Sequence, residues 1–269
     1  NFEHFSNIKL KNSTAVIAGC AKDIESYVRI STSKMTDIGN LFEDYKIIIF
    51  ENDSKDNTLN LLKIFEENNK NVIIISEKGL NKNPGFTRTC KLAHARNKII
   101  EYVEDNNLTN YDYFINMDMD ERGSEKLNIQ NLKEILEDNS FNDWAVITAN
   151  QEKYYDFWAL RTNKNNLNCW SSNGLCFKGQ MDLKNWFNNN EYHKFNDNSI
   201  NENSTPISVL SAFGGLGIYK MEYIKGCRYN NNKIKNLKKR NNDCEHVSFH
   251  KCILNKGGKI YIHPKLINS

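Results

Sequence analysis

The stretch Tyr113-Phe114-Ile115-Asn116-Met117-Asp118-Met119-Asp120-Glu121 decides how this chain is read. A short run of largely apolar, β-favouring residues passes directly into carboxylates, the pattern of a buried strand that delivers ligand-binding groups at its end. Toward the N-terminus the same kind of run recurs. Ala15 to Ala18, Lys46 to Phe50 and Val72 to Ser76 read as strands, alternating with helical stretches at Asp23 to Ile38, Thr58 to Asn68 and Arg88 to Val103. Leu59, Leu62, Ile64 and Phe65 make the apolar stripe of the second helix, and Leu92, Ala95, Ile99 and Ile100 that of the third. Strands alternating with helices imply an α/β chain with a mostly parallel sheet and right-handed crossovers. Such sheets bind ligands beyond the carboxyl ends of their strands.

Beyond Glu121 the pattern loosens. Ile129 to Leu136 reads as helix and Trp144 to Ala149 as strand, after which Tyr154-Tyr155-Asp156-Phe157-Trp158-Ala159-Leu160-Arg161 opens a polar stretch reaching Pro206. Val209 to Tyr219 reads as one strand with a kink or close approach at Gly214-Gly215. Cys244 to Leu254 reads as a helix ended by Gly257-Gly258, and Lys259 to Ile262 as a last strand. With no internal repeat and no Pro/Ser linker, residues 1–269 are expected to form a single domain.

Composition narrows the classes. At 269 residues the chain can bury a full core, and its 36 Lys+Arg against 33 Asp+Glu give a net charge of only +3. No one-signed field marks a nucleic-acid or membrane-surface binder. The basic run Lys233, Lys235, Lys238, Lys239, Arg240 lacks interleaved aromatics and reads as a solvated loop. The longest apolar runs, Ile47 to Phe50 and Val72 to Ile75, are far too short to span a bilayer. Close to one residue in six is Asn, which reads as coding bias rather than a fold requirement. Seven cysteines without C-x-x-C spacing read as reduced thiols. Of four N-x-S/T sequons, the one at Asn52 falls among the candidate site residues, where a glycan would obstruct binding; both features lean toward a cytoplasmic setting.

The strand tips carry the chemistry. Asp118 and Asp120 form a D-x-D pair at a carboxyl edge, a set of oxygen ligands suited to Mn²⁺ or Mg²⁺ carrying a diphosphate. After Lys46 to Phe50 come Glu51-Asn52-Asp53-Ser54-Lys55-Asp56-Asn57-Thr58. Ser54 or Asp56 is placed to cap the next helix, and Glu51 to accept hydrogen bonds from a base or ribose. Ala18-Gly19-Cys20-Ala21-Lys22-Asp23 supplies small residues that let a flat base approach the backbone.

The series AGCAKD, IIIFENDSKDNT, RTCKLAHARN and FINMDMDE resembles the nucleotide-binding half of a GT-A fold glycosyltransferase. Glu51, Asn52 and Asp53 depart from that family's D-D-G turn, while the acceptor character at 51 survives. The resemblance implies a nucleotide-binding half over 13–125 and a donor-sugar and acceptor half over 126–269, the latter smaller in its sheet and mixed. It implies donor contacts from Ala18, Gly19, Cys20, Asp23, Glu51, Ser54, Met117 and Asp118, with Arg88 and Arg96 on phosphates or sugar. Later, Cys244-Glu245-His246 and Gly257-Gly258-Lys259-Ile260 resemble the family's acidic helix and the strand after it, with His246 in place of Asp. Glu245 would then be the general base of an inverting enzyme or orient the acceptor in a retaining one, and His246 or His250 would complete a metal shell around Asp118 and Asp120. Phe213-Gly214-Gly215-Leu216-Gly217 resembles the strand under the donor sugar. The Tyr154 to Arg161 segment resembles the D-x-W-x-x-R stretch of capsule-type (Cap59-like) and viral glycosyltransferases, which puts Asp156, Trp158 and Arg161 on the sugar or acceptor side.

The implied activity is metal-dependent transfer from a nucleotide sugar to a hydroxyl of a glycan or protein, with a UDP-sugar as the first-choice donor and GDP-mannose as its rival. A non-catalytic nucleotide- or glycan-binding module on the same fold is the alternative. A nucleotidyltransferase expects a Gly-rich loop that Ala18 to Asp23 lacks.

Overall fold

The computed structural model describes residues 10, 12–82, 87–120, 127–151, 154, 156, 158–162, 195–196, 199–200, 202–230 and 243–268. In chain order the elements are β1 (Thr14–Ala21), α1 (Glu25–Gly39), β2 (Asp44–Asn52), α2 (Thr58–Glu67), β3 (Val72–Glu77), α3 (Arg88–Asp105), β4 (Tyr113–Asp118), α4 (Ile129–Glu137) and β5 (Val146–Asn150). There follow the short pair β6 (Phe195–Asn196) and β7 (Ser199–Ile200), then β8 (Ile207–Val209), β9 (Leu216–Lys220), α5 (Met221–Ile224), α6 (Glu245–Asn255) and β10 (Ile260–Ile267). Among the described residues, one sheet of eight strands runs β3-β2-β1-β4-β9-β5-β10-β8. β1 pairs parallel with β2 and β4, β2 with β3, and β5 with β10. β9 is inserted antiparallel between β4 and β5, and β8 caps the far edge antiparallel to β10.

The two faces of this sheet follow the period-two rule for strand side chains. Val16, Ala18, Ile48, Phe50 and Phe114 pack with Ala93, Ile99 and Ile100 of α3 and Phe249 and Ile253 of α6. Ala15, Ile17, Ile47, Ile49, Ile115 and Met117 pack on the other face with Val28, Met35 and Ile38 of α1, Leu62 of α2 and Leu132 of α4. Alternation therefore assigns Asn116 and Asp118 to the α3 and α6 face. Polar caps start two of the helices: Thr87 Oγ1 accepts from Cys90 N, and Asn128 Oδ1 accepts from Gln130 and Asn131 N.

Two expectations are corrected. Val209 to Tyr219 is not one strand but the end of β8, a turn, and β9. Gly214 (φ +64) and Gly215 (φ +80) form a tight turn there, closed by Leu216 N on the Phe213 carbonyl, and a Cβ on Gly214 would stand 2.5 Å from the Ala149 carbonyl oxygen. The cysteines are not all reduced thiols: Cys227 and Cys252 form a disulfide, Cα–Cα 5.8 Å, tying the turn after α5 to α6. Only the packing of α5 on α6 brings these two together, so spacing alone does not reveal the pair. Asn52 is buried within β2, so its sequon bears no weight on compartment. Among the described residues no helix is long and apolar enough to cross a membrane. The basic run 233–240 and most of the polar stretch 163–203 lie outside the described residues.

Candidate active site

The β1 and β2 tips are laced to each other. Ser54 Oγ accepts from Asp23 N at 3.1 Å, Asp23 Oδ1 from Lys55 N at 2.7 Å, and Thr58 Oγ1 from Ile24 N at 2.8 Å. Asp56 takes both Glu25 N and Thr58 N, so Asp56, not Ser54, serves the first turn of α2. Glu51 is buried, with one oxygen accepting from Ser54 N (2.9 Å) and the other from the Ser76 hydroxyl (2.7 Å). Asp53, in the left-handed region at φ +50, accepts from Gly79 N (2.6 Å) and Asn81 N (2.9 Å). Those hydrogen bonds, that from Gly79 foremost, hold its carboxyl below the usual range. These acidic side chains therefore brace the loops.

The β4 tip is built differently. Met119 is buried against Gly19, where an added Cβ would meet Met119 Sδ at 2.6 Å, and the Ser31 hydroxyl donates to the Met119 carbonyl. Fixing Met119 inward leaves the flanking aspartates toward the crevice. Asp120 is exposed and makes no hydrogen bond to the described residues. Asp118 is tied through its backbone N–H to the Gly215 carbonyl (2.8 Å), and its side chain remains 36 % exposed. Desolvation pushes the Asp118 carboxyl up to about 7, opposed by Arg96 and reinforced by Asp120, Asp156 and Glu245.

Arg96, on the inner face of α3, is 5 % exposed and joins two carboxylates. Its Nη1 donates to Glu245 Oε1 at the start of α6, and its Nη2 lies 3.4 Å from Asp118 Oδ1. The guanidinium stands 5.4 Å from the Phe213 ring and 5.7 Å from the Tyr229 ring, while its Nε has no hydrogen-bond partner among the described residues. Burial works against its charge, but Glu245, then Cys20 and Asp118, outweigh that and raise its pKa. Cys20 lies beside Asp118 in register, its thiol pushed up to about 12 by burial.

The two candidate histidines part company. His250 is enclosed, with the Ser211 hydroxyl 2.9 Å from Nδ1 and the Tyr219 hydroxyl 3.1 Å from Nε2; burial pushes it down to about 3. The structure does not bring it to the carboxylates as a ligand, because both ring nitrogens are engaged in the core. His246 stacks on Phe213 at 4.0 Å with Nε2 3.9 Å from Glu245 Oε1, and neither ring nitrogen has a hydrogen-bond partner among the described residues. Desolvation, with Arg96 and His250, keeps it well below the usual value, hence neutral.

On the acceptor side, Asp156 accepts from Gly214 N at 3.0 Å and so pins the glycine turn beneath Asp118. Burial raises its pKa, with the charge of Glu245 adding. Trp158 packs against the cluster of Ala159, Phe213 and Cys244. Arg161 is buried; it donates to the Trp158 and Leu160 carbonyls and pairs with Asp243 at 2.6 Å. That makes it a brace between the aromatic segment and the start of α6, and with Asp243 it also lines a cavity of about 350 Å³. Ala18 and Met117 are enclosed in the cores on opposite faces, so neither side chain opens onto the crevice. Arg88 is exposed at the first turn of α3.

Three neighbours were missed by the sequence reading. Asn116 lies on the Asp118 face and meets the Tyr229 hydroxyl (3.4 Å), which period two from Asp118 would have flagged. Tyr229 and Asn268 carry no local signal. Asn268 is buried at the end of β10, donates to the Gly214 carbonyl, and fills the space a Cβ on Gly215 would need.

A divalent ion fits the open end of this cluster only in part. Among the described residues no group of three or more His, Cys, Asp or Glu stands where it could hold a metal. Asp118 and Asp120 offer two carboxylates with unused oxygens, and Mg²⁺- or Mn²⁺-type sites often take the rest of their shell from phosphates and water.

This sheet order, with β9 reversed between β4 and β5 and carboxylates at the β4 tip, is a GT-A fold. The mannosyltransferase PcManGT from Pyrobaculum calidifontis, solved with GDP-Man and Mn²⁺, superposes with a TM-score of 0.55 at 9 % identity over 96 % of this chain and 56 % of its own. Residues 1–349 of S. aureus TarS match at 0.44 and 12 % identity (93 % and 57 %). Glucosyl-3-phosphoglycerate synthase from Mycobacterium tuberculosis, with Mn²⁺ and UDP, matches at 0.41 and 9 % identity (96 % and 68 %). The chain thus spans a little over half the length of the first two. No protein-family model and no curated protein matches the sequence.

Proposed function

We propose that this chain is a metal-dependent glycosyltransferase that moves a sugar from a nucleoside diphosphate donor to a hydroxyl of a glycan or protein. The observation that carries the reading is the pair of open carboxylates, Asp118 and Asp120, at the carboxyl edge of the sheet beside buried Glu245. Mn²⁺ or Mg²⁺ held by Asp118 and Asp120 would neutralise charge that builds on the departing diphosphate. The turn at Gly214-Gly215, pinned by Asp156 and Asn268, lies next to Asp118, where the family resemblance would put the donor sugar. Glu245 takes the acceptor proton if the reaction inverts, a role worth about 10² to 10⁴-fold, and orients the acceptor if it retains. His246, neutral and buried beside Glu245 with no hydrogen-bond partner among the described residues, would need the Phe213 side to open before it could meet a ligand.

The sequence favours a UDP-sugar, whereas the neighbour at TM-score 0.55 was solved with GDP-Man, which supports GDP-mannose as the rival donor. A panel of UDP- and GDP-sugars with Mn²⁺, assayed by nucleoside diphosphate release, separates them. Release from one donor, lost with EDTA and restored by Mn²⁺, is the expected result. Tight UDP or GDP binding with no release from any donor would instead support a binding module, a reading favoured by the altered turn at Glu51 to Asp53.

A further inference from the structure

We propose that Arg96 is a positioning residue, a fork that holds Glu245 and Asp118 in register across the crevice, and not a contact to the donor phosphates. Both terminal nitrogens of the guanidinium are directed at carboxylates, Nη1 at Glu245 and Nη2 at Asp118. The group is 5 % exposed, and Phe213 and Tyr229 flank it closely enough to limit its sliding. A phosphate approaching either terminal nitrogen would compete with the carboxylate already there.

The two arms are unequal. Glu245 is 2 % exposed and bonded directly, whereas Asp118 is one-third exposed and 3.4 Å away. A ligand arriving at Asp118 can therefore draw that carboxylate away while Arg96 keeps hold of Glu245. The geometry links the donor edge, on β4, to the acceptor edge, on α6, through one side chain of α3. Lysine cannot reproduce this, because an ammonium is a point charge without the planar fork.

The kinetic half of this inference rests on the glycosyltransferase reading; the ion-pair half does not. The first experiment is a double-mutant cycle in urea unfolding with Arg96→Met and Glu245→Gln. Arg96→Met leaves Glu245 as a buried unpaired charge, so the double variant is expected to recover at least half of the lost stability. If Arg96→Met does not fold, a folded double variant is the same result; simply additive losses would overturn the pairing. The second experiment compares Arg96→Lys with wild type for UDP and GDP binding in Mn²⁺ by calorimetry and for turnover on the responsive donor. The expected split is a nucleotide Kd within about threefold and a kcat lowered about 100-fold, the scale of a misplaced catalytic group. A Kd raised about tenfold or more with kcat unchanged would make Arg96 a phosphate contact and overturn the proposal. If wild type binds neither nucleotide, the glycosyltransferase reading falls while the cycle still decides the role of Arg96.

Discussion

The tips of β2 and β4 both end parallel strands in carboxylates at the same edge of the sheet, yet their oxygens go to different places. At the β2 tip, Glu51, Asp53 and Asp56 accept from Ser54, Ser76, Gly79, Asn81, Glu25 and Thr58. At the β4 tip, among the described residues, Asp118 meets only Arg96 through its side chain and Asp120 is open. The contrast teaches that residue type at a strand end does not assign a function. What separates the bracing carboxylates from the open ones is whether backbone N–H groups already occupy them.

Breaking that contrast gives its sharpest tests. Asp118→Asn should lower turnover by about 10³-fold, since it removes charge from the open tip, while melting within a few degrees of wild type. Asp53→Ala should do the reverse. Its kcat stays within about threefold, and stability falls by about 1 kcal/mol, because two partly solvated backbone donors lose their acceptor. Between these lies Gly215→Ala, which forces a side chain into a positive-φ position against Asn268 and should cost about 1–3 kcal/mol together with weaker nucleotide binding.

The same two tips respond oppositely to pH. Asp53 is held below its ordinary value when folded, so its contribution is present above the unfolded carboxylate range near 4 and is lost as pH falls through the folded value. Asp118 is raised to about 7, so ligand-free stability should fall as pH rises from about 4 toward 7. Affinity for UDP or GDP with Mn²⁺ should increase over that same window as Asp118 ionises. Urea unfolding and calorimetry at stepped pH, with Asp118→Asn as the variant lacking the second slope, check both signs.

The first half of the chain was legible because its information is local. Short apolar runs at Ile47 to Phe50 and Tyr113 to Met117, and helical stripes such as Leu92, Ala95, Ile99, define the sheet and place the acidic tips at its edge. The family likeness then singled out Arg96 and Glu245. It did not reveal that they bond to each other, since 149 residues separate them and the contact exists only through packing of α3 on α6. The disulfide and the histidines were obscure for the same reason. His246 and His250 are four residues apart on one helix, but one is satisfied by Ser211 and Tyr219 and the other is not. At Gly214-Gly215, read as a kink or a close backbone approach within one strand, the close approach holds against the Ala149 carbonyl, but the strand itself breaks into a turn, which glycine marks equally well.

The most direct test of the open-tip account is nucleoside diphosphate release in Mn²⁺ from the panel of UDP- and GDP-sugars, run side by side for wild type and Asp120→Ala. The account predicts release from one donor by wild type and none above background by the variant. Equal release by both proteins would contradict it.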